Sequence, residues 1–178
     1  MKHNLIKNVL FLLLLVSIQV TAQSTSFAAS GFKASFPAAP EVAKEAIDSK
    51  IGKIQITRYT YSDADCGCMI VVSHNLYPKE MFDKLGKVGQ KGVIDGAKKG
   101  IIKNIEAEME AKLIKEDEHD FVYQQKYDAT TLSGLIAEID LTATLIIKDN
   151  SLYSYIIIGD MTSGVASEFA TSFTLTEN

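Results

Sequence analysis

The 178-residue chain offers few groups that could hold a metal, and its apolar N-terminal run, Val9 to Val16, falls far short of the roughly 20 residues of a membrane span. After residue 22 there are two histidines, His74 and His119, and two cysteines, Cys66 and Cys68. If Cys68 to Leu76 is extended, His74 stands about 20 Å from Cys68 at roughly 3.3 Å per residue, too far for one tetrahedral ion. Asp63-Ala64-Asp65-Cys66-Gly67 has two acids of a calcium loop, but its glycine comes one residue early and His74 holds the twelfth position. No G-x-x-x-x-G-K-[ST] phosphate loop and no G-x-S-x-G elbow occurs, and two histidines among many serines single out no triad. Neither a catalytic residue, a metal nor a cofactor is therefore expected. The charge balance, 16 basic against 22 acidic residues after position 22, offers nothing to a nucleic acid.

What is present begins with an export signal. Lys2 and Lys7 precede the run Val9 to Val16, and small and polar residues from Ser17 to Ala22 follow, the order of a secretory signal peptide. Val20 and Ala22 fit the small positions before a cut, so residues 1–22 are expected to be removed and Gln23 to begin the mature chain; an uncleaved N-terminal anchor is the alternative. No cysteine follows the cut, which speaks against lipid anchoring. Residues 23–178 suit one domain with a proper core, exported to the periplasm or secreted. Disorder is expected only around Gln23 to Ser26 and in the last few residues.

One segment has helical periodicity. From Lys79 to Ile105, Phe82, Leu85, Val88 or Gly89, Val93 or Ile94, Ala97, Ile101 and Ile105 recur every three to five residues, so one long helix is predicted with Ala97 and Ile101 on its buried face. Gly86, Gly89, Gly92, Gly96 and Gly100 each weaken a helix by about 1 kcal/mol relative to Ala. Gly92, Gly96 and Gly100 share one side, and close packing on a sheet is the expected compensation. Lys87, Lys91, Lys98 and Lys99 exclude a membrane dimer through the same glycines.

The remainder reads as strand. Gly31 to Phe36 is a short edge strand stopped by Pro37, Val42 to Asp48 and a strand reaching Tyr61 form a hairpin, and Cys68 to Leu76 follows. Ala107 to Lys115 is ambiguous. Phe121 to Tyr127, Leu135 to Ile147 and Leu152 to Ile158 are strands, the last two joined by a turn at Asp149-Asn150, and Val165 to Phe173 is a short helix. Short turns imply a mainly antiparallel sheet. The expected fold is α+β: an α/β/α sandwich with the long helix on one face and the short C-terminal helix on the other.

Gly31-Phe32-Lys33-Ala34-Ser35-Phe36-Pro37, Asp95-Gly96-Ala97, Asn150-Ser151-Leu152-Tyr153 and the terminal Glu168-Phe169-Ala170-Thr171-Ser172-Phe173-Thr174-Leu175 together resemble exported bacterial PsbP-like proteins. These are related in fold to the MOG-type and DcrB proteins. The resemblance spans nearly the whole mature chain; it implies an α/β/α sandwich and carries over no catalytic residue. Unlike DcrB-like members, this chain has no lipid-bearing cysteine.

Cys66-Gly67-Cys68 is the sharpest local feature in a chain bound for an oxidising compartment. A disulfide across this tiny ring, two unpaired thiols, and pairing to another chain are the competing readings. Asp63 and Asp65 would raise rather than lower a nearby thiol's pKa. Glu106 to Asp120, which includes His119, is expected to be a solvated acidic face, with a basic partner as the alternative. The functional expectation is an exported non-enzymatic domain that binds a partner protein or envelope component. The rival is a thiol/disulfide redox protein acting through Cys66 and Cys68.

Overall fold

Alternating apolar and polar residues give ten strands among the described residues, and every observed pairing between them is antiparallel. The computed structural model describes residues 24–63, 68–108, 112–116, 120–128, 136–159 and 164–177, with residues 104–140 described by their backbone course. The strands are β1 (Thr25–Ala29), β2 (Phe32–Phe36), β3 (Glu41–Ser49), β4 (Gly52–Asp63), β5 (Cys68–Leu76), β6 (Lys112–Glu116), β7 (Asp120–Asp128), β8 (Ile136–Lys148), β9 (Ser151–Gly159) and β10 (Thr174–Leu175). The helices are α1 (Lys79–Lys84), α2 (Gly86–Glu108) and α3 (Gly164–Ser172). Seven strands form one sheet in the order β3-β4-β5-β9-β8-β7-β6, and β1-β2-β10 form a second. The signal-peptide reading falls on residues 1–22, outside the described residues.

Two sheets replace the expected α/β/α sandwich. One face of the large sheet is covered by α1 and α2 through a core of Ile54, Ile56, Phe82, Ile94, Leu141, Ala143, Leu145 and Leu152. The other face packs not on a helical layer but on the small sheet together with α3, around Phe32, Ala34, Phe36, Tyr59, Ile70, Val72, Tyr153, Ile157, Ala166 and Phe169. Aromatic rings dominate this second core. Phe36 meets Phe169 edge-on at 5.0 Å, and Phe32 meets Tyr59 edge-on at 5.1 Å, geometries that suit the ring quadrupole. Gly31 to Phe36 is thus no edge strand: β2 is flanked by β1 and β10, and β1 begins at Thr25, inside the Gln23 to Ser26 stretch where disorder is expected.

The single long helix is also corrected. Gly86 has φ 59°, the left-handed conformation that ends helices, so the segment breaks into a six-residue α1 and a 23-residue α2. Phe82 and Ile94 are buried as the stripe requires, whereas Ala97 and Ile101 are only partly buried and Val88 is 88% exposed. The glycines do not press on the sheet either. A Cβ added at Gly92, Gly96 or Gly100 would meet nothing within 4 Å.

A cross-connection pins the helical layer to the β8–β9 hairpin. Tyr77 donates its backbone N–H to the Asn150 carbonyl at 2.9 Å, and Asn150 Nδ2 donates to the Tyr77 carbonyl at 2.5 Å. The hairpin turn itself places Asp149 at φ 52°, a conformation Asp tolerates better than most residues.

Candidate functional site: a cleft between helix α2 and the sheet

β5 buries Cys68, Ile70, Val72 and His74 on the side of the small sheet. On its other side it presents Val71, Ser73 and Asn75, short or polar side chains that leave room beneath α2. The helix adds little bulk there, since it faces this stretch with Ala97, Gly100 and Ile101. Small residues on both surfaces produce a cleft of about 300 Å³, floored by β4, β5 and β9.

Register orders the floor. Arg58 pairs with Ser73 and Ser73 with Ser154, so these three form one row across the strands. Ile56, Asn75 and Leu152 form the row on one side, and Thr60, Val71 and Ile156 the row on the other. A polar stripe therefore runs across a largely apolar floor. Arg58 is the only arginine in the chain. Arg58 lines the cleft, its Nη2 lies 2.5 Å from Glu45 Oε1 on the edge strand β3, and both side chains are about half exposed. Ser73 donates its hydroxyl to Asn75 Oδ1 at 3.0 Å. Ser154 is 8% exposed and makes no side-chain hydrogen bond to the described residues. A buried hydroxyl left without a partner costs roughly 1–3 kcal/mol, so the floor carries an unmet acceptor requirement.

Two further buried polar residues, His74 and Ser151, lie on the opposite face. His74 stacks on Tyr153 with centroids 4.5 Å apart and planes within 2° of parallel, and its Nε2 is 3.0 Å from Ser151 Oγ. Burial holds the His74 imidazole below its ordinary pKa, so it is neutral at pH 7. His74 is 7% exposed and Ser151 2% exposed, and this closed pair offers a substrate no approach. Its place is in the core between the sheets.

Of the residues singled out in the sequence, Cys68 opens β5, is 4% exposed and is not a free thiol. Cys66 and His119 lie outside the described residues, as do the side chains from Glu106 to Asp120. Among the described residues no cluster of three or more histidines, cysteines or acids could hold a metal, and no helix is long and apolar enough to cross a membrane. Sequence reading missed the Arg58-Ser73-Ser154 row, although one signal was present: Ser73 and Asn75 interrupt an otherwise apolar strand on one side only. No model of a known protein family matches the chain, and no curated protein matches it.

Proposed function

We propose that this protein is an exported, non-enzymatic binding domain whose ligand, a component of the cell envelope, enters the cleft between α2 and the sheet. The observation that carries this reading is Ser154, a buried hydroxyl without a hydrogen-bond partner among the described residues, on the floor of a largely apolar cavity. Kinship with the PsbP-like proteins is part of the proposal and rests on the segments quoted above; it supplies no catalytic residue. Redox work through Cys66 and Cys68 is the weaker reading, because Cys68 is buried and a reactive thiolate needs access.

Gly100 lines the cleft and has open space at its Cβ position, so Gly100→Leu should fill the cavity without disturbing the fold. Native mass spectrometry of the protein, incubated with an envelope extract, should show a bound small molecule in the parent and none in Gly100→Leu. Equal retention by both proteins, or none by the parent, would remove the cleft from consideration.

A further inference from the structure

We infer that the ligand is a small monocarboxylic acid with a hydrocarbon body, held by Arg58 and Ser154; this rests on the binding role proposed for the cleft. Size comes first. A cavity of about 300 Å³ is at the lower end for ligand sites, so it suits one short chain rather than a two-chain lipid. Ile56, Val71, Leu152 and Ile156 in the floor and Ile101 in the roof provide the apolar walls for that body.

Charge decides the head group. The guanidinium of Arg58 has five N–H donors, and Glu45 engages it through one nitrogen, Nη2. The remaining donors suit a planar carboxylate. Ser154 needs an acceptor, and its hydroxyl donates to whatever oxygen enters the floor. Arg58 and Ser154 are two strand spacings apart, roughly 10 Å between backbones, a gap that the long arginine side chain shortens. An acid carries acceptors for both residues, whereas an alcohol lacks the charge and an amine would be repelled by Arg58. Glu45 competes for the same guanidinium and so weakens binding in the resting protein.

The test uses octanoate, 1-octanol and octylamine with the full mature chain, read by calorimetry and by ligand-induced thermal shift. Octanoate should bind at least tenfold more tightly than either neutral or cationic analogue. Arg58→Met should weaken octanoate at least tenfold, and Glu45→Gln should tighten it severalfold. Ser154→Ala is the discriminating variant. Removing a buried hydroxyl that has no partner among the described residues should leave the unliganded Tm unchanged or higher, while the octanoate-induced shift shrinks. Equal binding of octanol and octanoate, octanoate affinity unchanged in Arg58→Met, or weaker binding in Glu45→Gln would overturn the assignment. So would binding of phosphatidylcholine vesicles without binding of octanoate. If octanoate fails while Gly100→Leu still abolishes retention of an envelope molecule, the acid is wrong and the cleft role stands. If both fail, both fall.

Discussion

The hydroxyl of Tyr153 occupies the space that a side chain at Gly31 would need: an added Cβ would stand 1.8 Å from Oη and 2.7 Å from Cζ. This contact joins the centre of the large sheet to the turn between β1 and β2, and Gly31 also accepts the Thr176 backbone N–H at 3.0 Å. Gly31 has φ 83°, so its lack of a side chain satisfies a backbone requirement and a packing requirement at one position.

Gly31→Ala should therefore lower stability by about 2–4 kcal/mol, combining overpacking with left-handed strain. Urea melts give the value. In a Tyr153→Phe background the same substitution should cost less, because the nearest atom is gone, although Cζ still crowds the site. Equal costs in the two backgrounds would mean that Tyr153 is not what confines Gly31.

The stack of His74 on Tyr153 yields a pH prediction. Burial lowers the His74 pKa in the folded protein, so the unfolded chain binds the proton more readily. Its contribution to stability is full above the unfolded value, about 6.5, and is lost as pH falls from there through the depressed folded value. His74→Phe keeps an aromatic ring against Tyr153 and removes the titration, at the expense of leaving Ser151 Oγ without its partner. The difference in unfolding free energy between parent and His74→Phe should shift in favour of the variant as pH drops below about 6.5, and should be constant above it. A pH-independent difference would show that His74 titrates normally.

Strand patterning was legible because alternation reports burial directly. The alternation from Cys68 to Leu76 coincides with β5 from end to end, and Asp149-Asn150 is the turn between β8 and β9. The break at Gly86 is not legible, because helical periodicity and composition do not reveal the sign of φ, and Leu85 and Val93 continue the apolar spacing across it. The small sheet escaped notice for a different reason. Thr174–Leu175 is two residues long, and its pairing with Lys33 and Phe32 is a contact across more than 140 positions that no local pattern encodes. The cleft was invisible as well, since it arises from small residues on α2 facing short polar ones on β5, a coincidence that only the packing brings about.

The cysteines lie one residue apart, with Cys68 buried at the start of β5 opposite Asp63. A bond between Cys66 and Cys68 would close so small a loop that little entropy is removed from the unfolded chain. Replacing both with serine should cost less than about 1.5 kcal/mol in urea melts, well below the loss of a long-range disulfide. Labelling of the native protein by a thiol reagent should be absent until a reductant is added. A loss above roughly 3 kcal/mol, or the disappearance of an oligomer present in the parent, would instead identify a structural or intermolecular bond.

The glycines of α2 separate into two groups that alanine should distinguish. Gly92 and Gly96 are exposed, have right-handed backbone and find nothing near an added Cβ, so alanine there adds only helix propensity. Each substitution should raise stability by about 0.5–1 kcal/mol. Gly89 differs because its added Cβ would come within 2.6 Å of Leu85 Cβ, and the helical backbone gives that atom little freedom to move. Gly86 differs again: it has open space but φ 59°, so alanine there is strained in the conformation that separates α1 from α2. Gly89→Ala and Gly86→Ala should each destabilise, by about 1–2 kcal/mol. Thermal melts of the four single variants would test the division. If Gly92→Ala or Gly96→Ala proved destabilising, the glycine stripe would be packed against another surface in solution, and the close approach expected from the sequence would be made to a partner rather than to the protein's own sheet.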